Sequence, residues 1–100
     1  MPAPDEVIHQ TMRLKIMATL HAMPLGEPLE VSRLKQMLDA SDGNLGSHLT
    51  TLEKAAYVRV LKDYVGKKPR TRVALTKVGA RAYAVHAAYL RGVLDGDTPV

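Results

Sequence analysis

The spacing of apolar residues in this 100-residue chain switches twice, from helical to alternating and back, and that order leaves few folds open. Up to residue 56 apolar side chains recur at steps of three and four, the repeat of amphipathic helices. From Tyr57 to Leu75 they alternate in β-prone stretches, and after Thr76 the helical spacing returns. Such a chain reads as a mainly α (α+β) domain, with helices on both sides of one strand pair.

Resolved further, a first helix is predicted from Asp5 to about Ala22, on Val7, Ile8, Met12, Ile16, Met17 and Leu20. Met23-Pro24-Leu25-Gly26-Glu27-Pro28 stops it, because two prolines and a glycine cannot continue a helix. Leu29–Val31 suits a very short strand. A second helix follows with Ser32 as its cap and Leu34, Met37 and Leu38 inward. Asp39-Ala40 makes a turn, and Ser41 caps a third helix to about Ala56 with the stripe Leu45, Leu49, Leu52, Ala56. Asn44, Ser47, His48 and Thr51 then take exposed or flanking positions.

Tyr57–Lys62 and Thr71–Leu75 are the predicted strands, joined by a loop over 63–70. Lys67, Lys68, Arg70 and Arg72 give that hairpin a basic tip. Thr76 caps a fourth helix through Gly79 to about Leu94, with the stripe Val78, Ala82, Val85, Tyr89, Val93 and several alanines beside it. Residues 1–4 are a proline-containing lead and 95–100 a frayed tail. One domain over 1–100, ordered from about 5 to 94, is expected.

Composition narrows the chemistry. With no Cys, disulfides, thiolate metal sites and Cys nucleophiles are excluded together, which fits a reducing cytosol. No apolar run approaches the ~18 residues of a membrane span, and the first residues lack a signal-peptide pattern. A cytoplasmic, membrane-free protein is expected. The formal charge of +4 is unevenly placed. Lys54 to Arg81 holds nine basic residues against the single acid Asp63, a net +8, and the rest of the chain is −4. Such a block is the electrostatic footprint of a polyanion partner, the alternative being a solvated basic face that binds nothing.

Helix, short strand, helix, tight turn, helix, basic-tipped hairpin, helix is the order of a winged helix-turn-helix, with four helices and a two-stranded β-hairpin wing. A helix fits the major groove, where Asn, Ser, Thr and His side chains read base edges. Its N-terminus offers free N–H groups to phosphate, and Gly43 and Gly46 leave room for close backbone approach. The cations of the hairpin tip would lie along phosphates or reach the minor groove.

Several segments then resemble the small winged-helix regulators of the MarR/ArsR superfamily. They are Arg13-Leu14-Lys15-Ile16-Met17, Asp42-Gly43-Asn44-Leu45, His48-Leu49 with Leu52 and Ala55, and Tyr57-Val58. Gly66-Lys67-Lys68-Pro69-Arg70-Thr71 and Leu75-Thr76-Lys77-Val78-Gly79 complete the match, which covers residues 7 to about 92. The resemblance implies a homodimer acting on transcription through double-stranded DNA, with an inverted-repeat operator. It also implies that Ser41 through Thr51 face DNA and that the first and last helices dimerise.

On these grounds the expected DNA-contacting residues are Ser41, Gly43, Asn44, Ser47, His48, Thr51, Lys54, Lys67, Lys68, Arg70 and Arg72. The expected dimer contacts are Val7, Ile8, Tyr83, His86, Tyr89 and Val93. Each has a plainer reading beside it: a solvated surface helix for the first set, ordinary core for the second. Arg13 suits a structural pair better than a phosphate contact. No cofactor or metal is expected, since His9, His21, His48 and His86 form no recognisable ligand spacing. Catalysis is not expected either. Ser47 and His48 are adjacent on a helix and point apart, and nothing marks an orienting acid. Two other functions share the fold, a protein-interaction module and a nonspecific chromosome-associated protein.

Overall fold

The computed structural model describes residues 3–97. Its elements are α1 (Thr11–His21), β1 (Leu29–Glu30), α2 (Val31–Leu38), α3 (Asp42–Lys54), β2 (Val58–Val65), β3 (Lys68–Leu75) and α4 (Lys77–Leu94). The order is the expected one, with one addition. The wing is the greater part of a three-stranded antiparallel sheet, β1-β3-β2, because Leu29 and Glu30 pair with Val73 and Arg72.

Local chemistry explains most boundaries. Ser41 and Thr76 cap α3 and α4, accepting the amides of Asn44 and Gly79. The first helix begins six residues later than its apolar pattern predicts. The Asp5 carboxylate binds the amides of Val7 and Ile8 and the Asp5 carbonyl accepts from His9, which closes a separate turn before Gln10 caps α1 at Arg13. Helix α2 starts at Val31, not after a Ser32 cap, and its N-cap Glu30 makes no side-chain bond. There the strand pairing of residue 30 sets the entry. Asp39 ends α2 in the left-handed region at φ 51°.

The wing strands are longer than their sequence suggests. The expected eight-residue loop is only Gly66-Lys67, with Val65 opposite Lys68. Gly66 sits at φ 64°, the glycine-first pattern of a type II′ hairpin. Pro69, which cannot donate to a ladder, is tolerated because β1 reaches only residues 72 and 73 of the same strand.

One cluster forms the core: Ile8, Ile16, Met17, Leu20, Leu29, Leu34, Leu45, Leu49, Leu52, Val58, Val73 and Leu75. Ala56 does not continue the α3 stripe. It lies past the helix end, exposed, at φ 63°. The stripe of α4 also differs from expectation. Gly79, His86 and Tyr89 face inward, while Val78 and Val85 stand 50% and 52% exposed. Residues 95–97 are not a loose tail, since Gly96 and Asp97 donate to the carbonyls of Val93 and Gly92 and cap α4. The rest of the expected tail, 98–100, and residues 1–2 of the lead lie outside the described residues.

Candidate nucleic-acid interface

The site is built on α3. Its inner residues Leu45, Leu49 and Leu52 are buried, which turns the opposite side of the helix to solvent. Ser41, Gly43, Asn44, Ser47 and Lys54 are exposed there, and Thr51 is half-buried. Thr50, absent from the expected set, belongs to the same surface. It is three residues from Ser47 and seven from Gly43, a spacing that puts all three on one face. The hydroxyls of Thr50 and Thr51 donate to the carbonyls of Gly46 and Ser47, which orients their lone pairs outward. A Cβ built at Gly43 or Gly46 meets nothing within 4 Å, so both lie on open surface.

His48 occupies the margin of this surface. It is half-buried, and its Nδ1 lies 3.1 Å from the Nη1 of Arg13 on α1. Burial, and then the Arg13 charge, hold its pKa below the ordinary histidine value. Arg13 also donates its Nε–H to the Val7 carbonyl, in agreement with a structural role for this residue.

Beside α3 stands the wing. Lys68, Arg70 and Arg72 alternate along one face of β3, and Asp63 of β2 sits directly opposite Arg70 on that face. Its carboxylate takes two bonds from Arg70, at 2.8 and 2.6 Å, and one from Arg72 at 3.2 Å. The Arg70 bonds hold the Asp63 carboxyl below the ordinary carboxylate range. Hence the four cations expected at the hairpin tip divide into two pairs. Lys67 and Lys68 are exposed and make no ion pair among the described residues, whereas Arg70 and Arg72 are half-buried and tied to Asp63. The sequence showed Asp63 as the lone acid of a basic block, but not its partners.

The residues expected at a dimer contact are split by the fold. His86 and Ile8 are 0% exposed within the single chain and Tyr89 is buried. Their assignment to a partner contact is corrected for that reason. His86 Nδ1 accepts the amide of Asp5 at 3.0 Å, and Tyr57 donates to the Asp5 carboxylate at 2.6 Å. These bonds tie the N-terminal turn to α4 and to the bend after α3. Val7, Tyr83 and Val93 are half-buried, and Val78, Val85 and Leu94 are the large apolar residues that α4 exposes.

This cluster predicts a stability profile. Burial, then the charge of His9, lower the His86 pKa, and His48 is lowered too. The unfolded chain therefore binds more protons than the folded one just below the ordinary histidine pKa of about 6.5. Asp5 adds to the trend at lower pH. Burial, which raises its pKa, is outweighed by the Tyr57 bond and the two amides, so its contribution fades below about 3.8. The melting temperature is expected to hold above pH 7 and to fall as pH drops from 6.5 to 5. A circular-dichroism melt series that stays level across that interval contradicts the network.

A helix with a small, polar outer face, seated on a leucine stripe beside a cationic hairpin, defines a winged helix-turn-helix domain. Residues 12–94 match the winged helix DNA-binding domain family, and the chain belongs to that family. Over 78 residues it is 31% identical to an uncharacterised protein of Methanocaldococcus jannaschii, covering 78% of this chain and 82% of that protein. The structure of the transcriptional regulator homologue protein from Pyrococcus horikoshii OT3 superposes with a TM-score of 0.82 at 29% identity, over 92% of this chain and 88% of that one. A PadR family transcriptional regulator from Eggerthella lenta DSM 2243 shares the fold, with a TM-score of 0.67 at 24% identity over 90% and 87% of the two chains. The likeness is to winged-helix proteins broadly, and the MarR/ArsR branch is not singled out. Among the described residues, no helix is long and apolar enough to cross a membrane.

Proposed function

We propose that the chain is a sequence-specific, double-stranded-DNA-binding transcriptional regulator that acts as a homodimer. The outer face of α3 carries this reading. Gly43, Asn44, Ser47, Thr50 and Thr51 offer hydrogen-bonding groups and no aromatic or bulky apolar anchor, which suits base edges better than a protein partner. In this arrangement α3 enters the major groove, and Ser41 and Lys54 meet phosphates at its two ends. Lys67 and Lys68 follow the backbone or the minor groove, joined by Arg70 and Arg72 where Asp63 releases them. No residue is assigned to catalysis. The resemblance of the fold to the Pyrococcus horikoshii regulator homologue supports a role in transcription.

The dimer contact is assigned to the apolar side chains that α4 exposes, Val78 and Val85 on one flank and Leu94 on the opposite flank at its C-terminal end, with the half-buried Val7, Tyr83 and Val93 as further contacts. Val85→Lys is then expected to shift sedimentation from dimer to monomer. Two α3 helices would enter successive major grooves about 34 Å apart, so the operator is an inverted repeat.

Selection from a random genomic duplex pool, followed by sequencing, tests the reading. Enrichment of an inverted repeat is expected at near-physiological salt. Retention without a motif selects a nonspecific chromosome-associated protein, and no retention selects a protein-interaction module. If the dimer neutralises roughly six to eight phosphates, log K should fall against log salt with a slope of about −5 to −7. Replacing Asn44 or Ser47 by Ala should change preference among sites, by roughly five- to a hundredfold at the affected base pair. Equal losses on selected and random duplexes would remove those two residues from base reading.

A further inference from the structure

We infer that Arg13 is a positioning residue that holds His48 as a neutral imidazole with its proton on Nε2, so that α3 presents a hydrogen-bond donor to an acceptor atom of duplex DNA. The inference rests on the DNA-binding reading for the identity of that acceptor, and on geometry alone for the state of the ring.

The geometry admits one protonation pattern. A guanidinium has only donors and keeps its proton at any ordinary pH. Its Nη1 lies 3.1 Å from His48 Nδ1, so that nitrogen must supply a lone pair. An imidazolium, or the other neutral tautomer, would set two N–H groups against each other. The ring proton therefore sits on Nε2, on the far edge from α1. Among the described residues that atom bonds no protein group, and it is not a buried nitrogen, so it is open to solvent. Arg13 is itself fixed, since its Nε–H is spent on the Val7 carbonyl of the N-terminal turn. The contact spans 35 residues and joins α1 to α3. The ring is thereby oriented by the scaffold, not by the flexible end of a surface side chain.

A donor of fixed direction at the edge of α3 complements an unprotonated acceptor. On duplex DNA a groove-bound helix meets such acceptors on base edges, at purine N7, guanine O6 and thymine O4, and on the backbone, at a non-bridging phosphate oxygen. It would not complement the N4 amino group of cytosine, where two donors would meet.

The test starts with the free protein, labelled with ¹⁵N at histidine and observed at pH 7.5. The His48 Nδ1 resonance is expected at the position of an unprotonated nitrogen, with the proton on Nε2. An Nδ1–H form, or rapid averaging of the two forms, overturns the proposal. Arg13→Leu is expected to bring averaging, and Arg13→Lys to restore much of the wild-type pattern. Because Arg13 also holds the N-terminal turn, the leucine variant can fail to fold, and the wild-type spectrum together with changes at His48 decides without it.

His48→Gln puts an amide N–H₂ near the position of Nε2, whereas His48→Asn reaches only that of Nδ1. On the duplex most enriched by selection, Gln should hold affinity within about threefold and Asn should lose about tenfold. Duplexes carrying at each position one base analogue without N7, O6 or O4 (7-deazapurine, 2-aminopurine for guanine, 5-methyl-2-pyrimidinone for thymine), or one methylphosphonate, then separate base from backbone acceptors. The wild-type protein should lose about tenfold at one such position, and His48→Ala should show no loss there. A His48-dependent loss at a base analogue assigns the acceptor which that analogue lacks, and one at a methylphosphonate assigns phosphate. Its absence at every position overturns the donor role. If no duplex is bound at all, the DNA reading and the donor role fail together, while the spectra still decide what Arg13 does.

Discussion

Gly79→Ala is expected to destabilise the protein by about 3 kcal/mol, enough to lower the melting temperature by roughly 12 to 24 °C in a domain of this size. A Cβ built at Gly79 lies 2.1 Å from the Tyr57 carbonyl oxygen and 2.8 and 2.9 Å from its carbon and Cα. All three are backbone atoms, so no side chain can swing aside. The Tyr57 carbonyl accepts the amide and hydroxyl of Thr76, and the Ala56 carbonyl accepts the same hydroxyl at 2.7 Å. Moving α4 away to relieve the clash would therefore break its own cap. Helix propensity points the other way, since alanine favours a helix by about 1 kcal/mol over glycine. The sign of the measured change thus separates the two effects. A thermal melt unchanged or raised by the substitution would show that α4 does not approach the bend at Tyr57 this closely.

Asp63→Asn is expected to tighten binding to DNA of any sequence by about tenfold at physiological salt. For the proposed dimer it should also steepen the salt slope by about 2, one further phosphate for each wing. Asp63 cancels one charge on the face where Arg70 and Arg72 stand, and it occupies three of their donor positions. Asparagine keeps the shape and an acceptor oxygen but removes the charge that draws both guanidiniums inward. Little fold stability should be lost, because the pairs are partly exposed. The comparison to make is fluorescence anisotropy of both proteins on one random duplex over a salt series. Weaker binding by the variant would mean that Asp63 aims the arginines at phosphate and does not restrain them.

Both predictions concern contacts that the sequence does not display, and particular residues show where legibility stops. Helix α3 was readable almost to its ends. Ser41, the spacing of Leu45, Leu49 and Leu52, and the polar residues between them act within four positions of one another, and the structure places them as expected. The wing was readable as a basic hairpin. Its length was not, because whether residues 63–70 pair or loop depends on Gly66 accepting a two-residue turn. For α4 the apolar spacing was right at Tyr89 but put Val78 and Val85 on the inner side, where the structure exposes them. Val78 and Val85 are more hydrophobic than Gly79 and His86, yet the inner side requires a residue without a Cβ at Tyr57 and an acceptor for Asp5.

What the sequence by itself determined is the set of interactions made by near neighbours. These are the order of helices and strands, the caps at Ser41 and Thr76, the leucine stripe of α3 and the basic block around the wing. The tertiary structure alone decided which polar groups meet: Arg13 with His48 across 35 residues, and Asp5 with Tyr57 across 52 and with His86 across 81. The physical reason is range. A periodic apolar pattern and a capping hydroxyl act through backbone geometry fixed over a single turn. A guanidinium or an imidazole acquires its partner only when packing brings distant elements within about 3 Å.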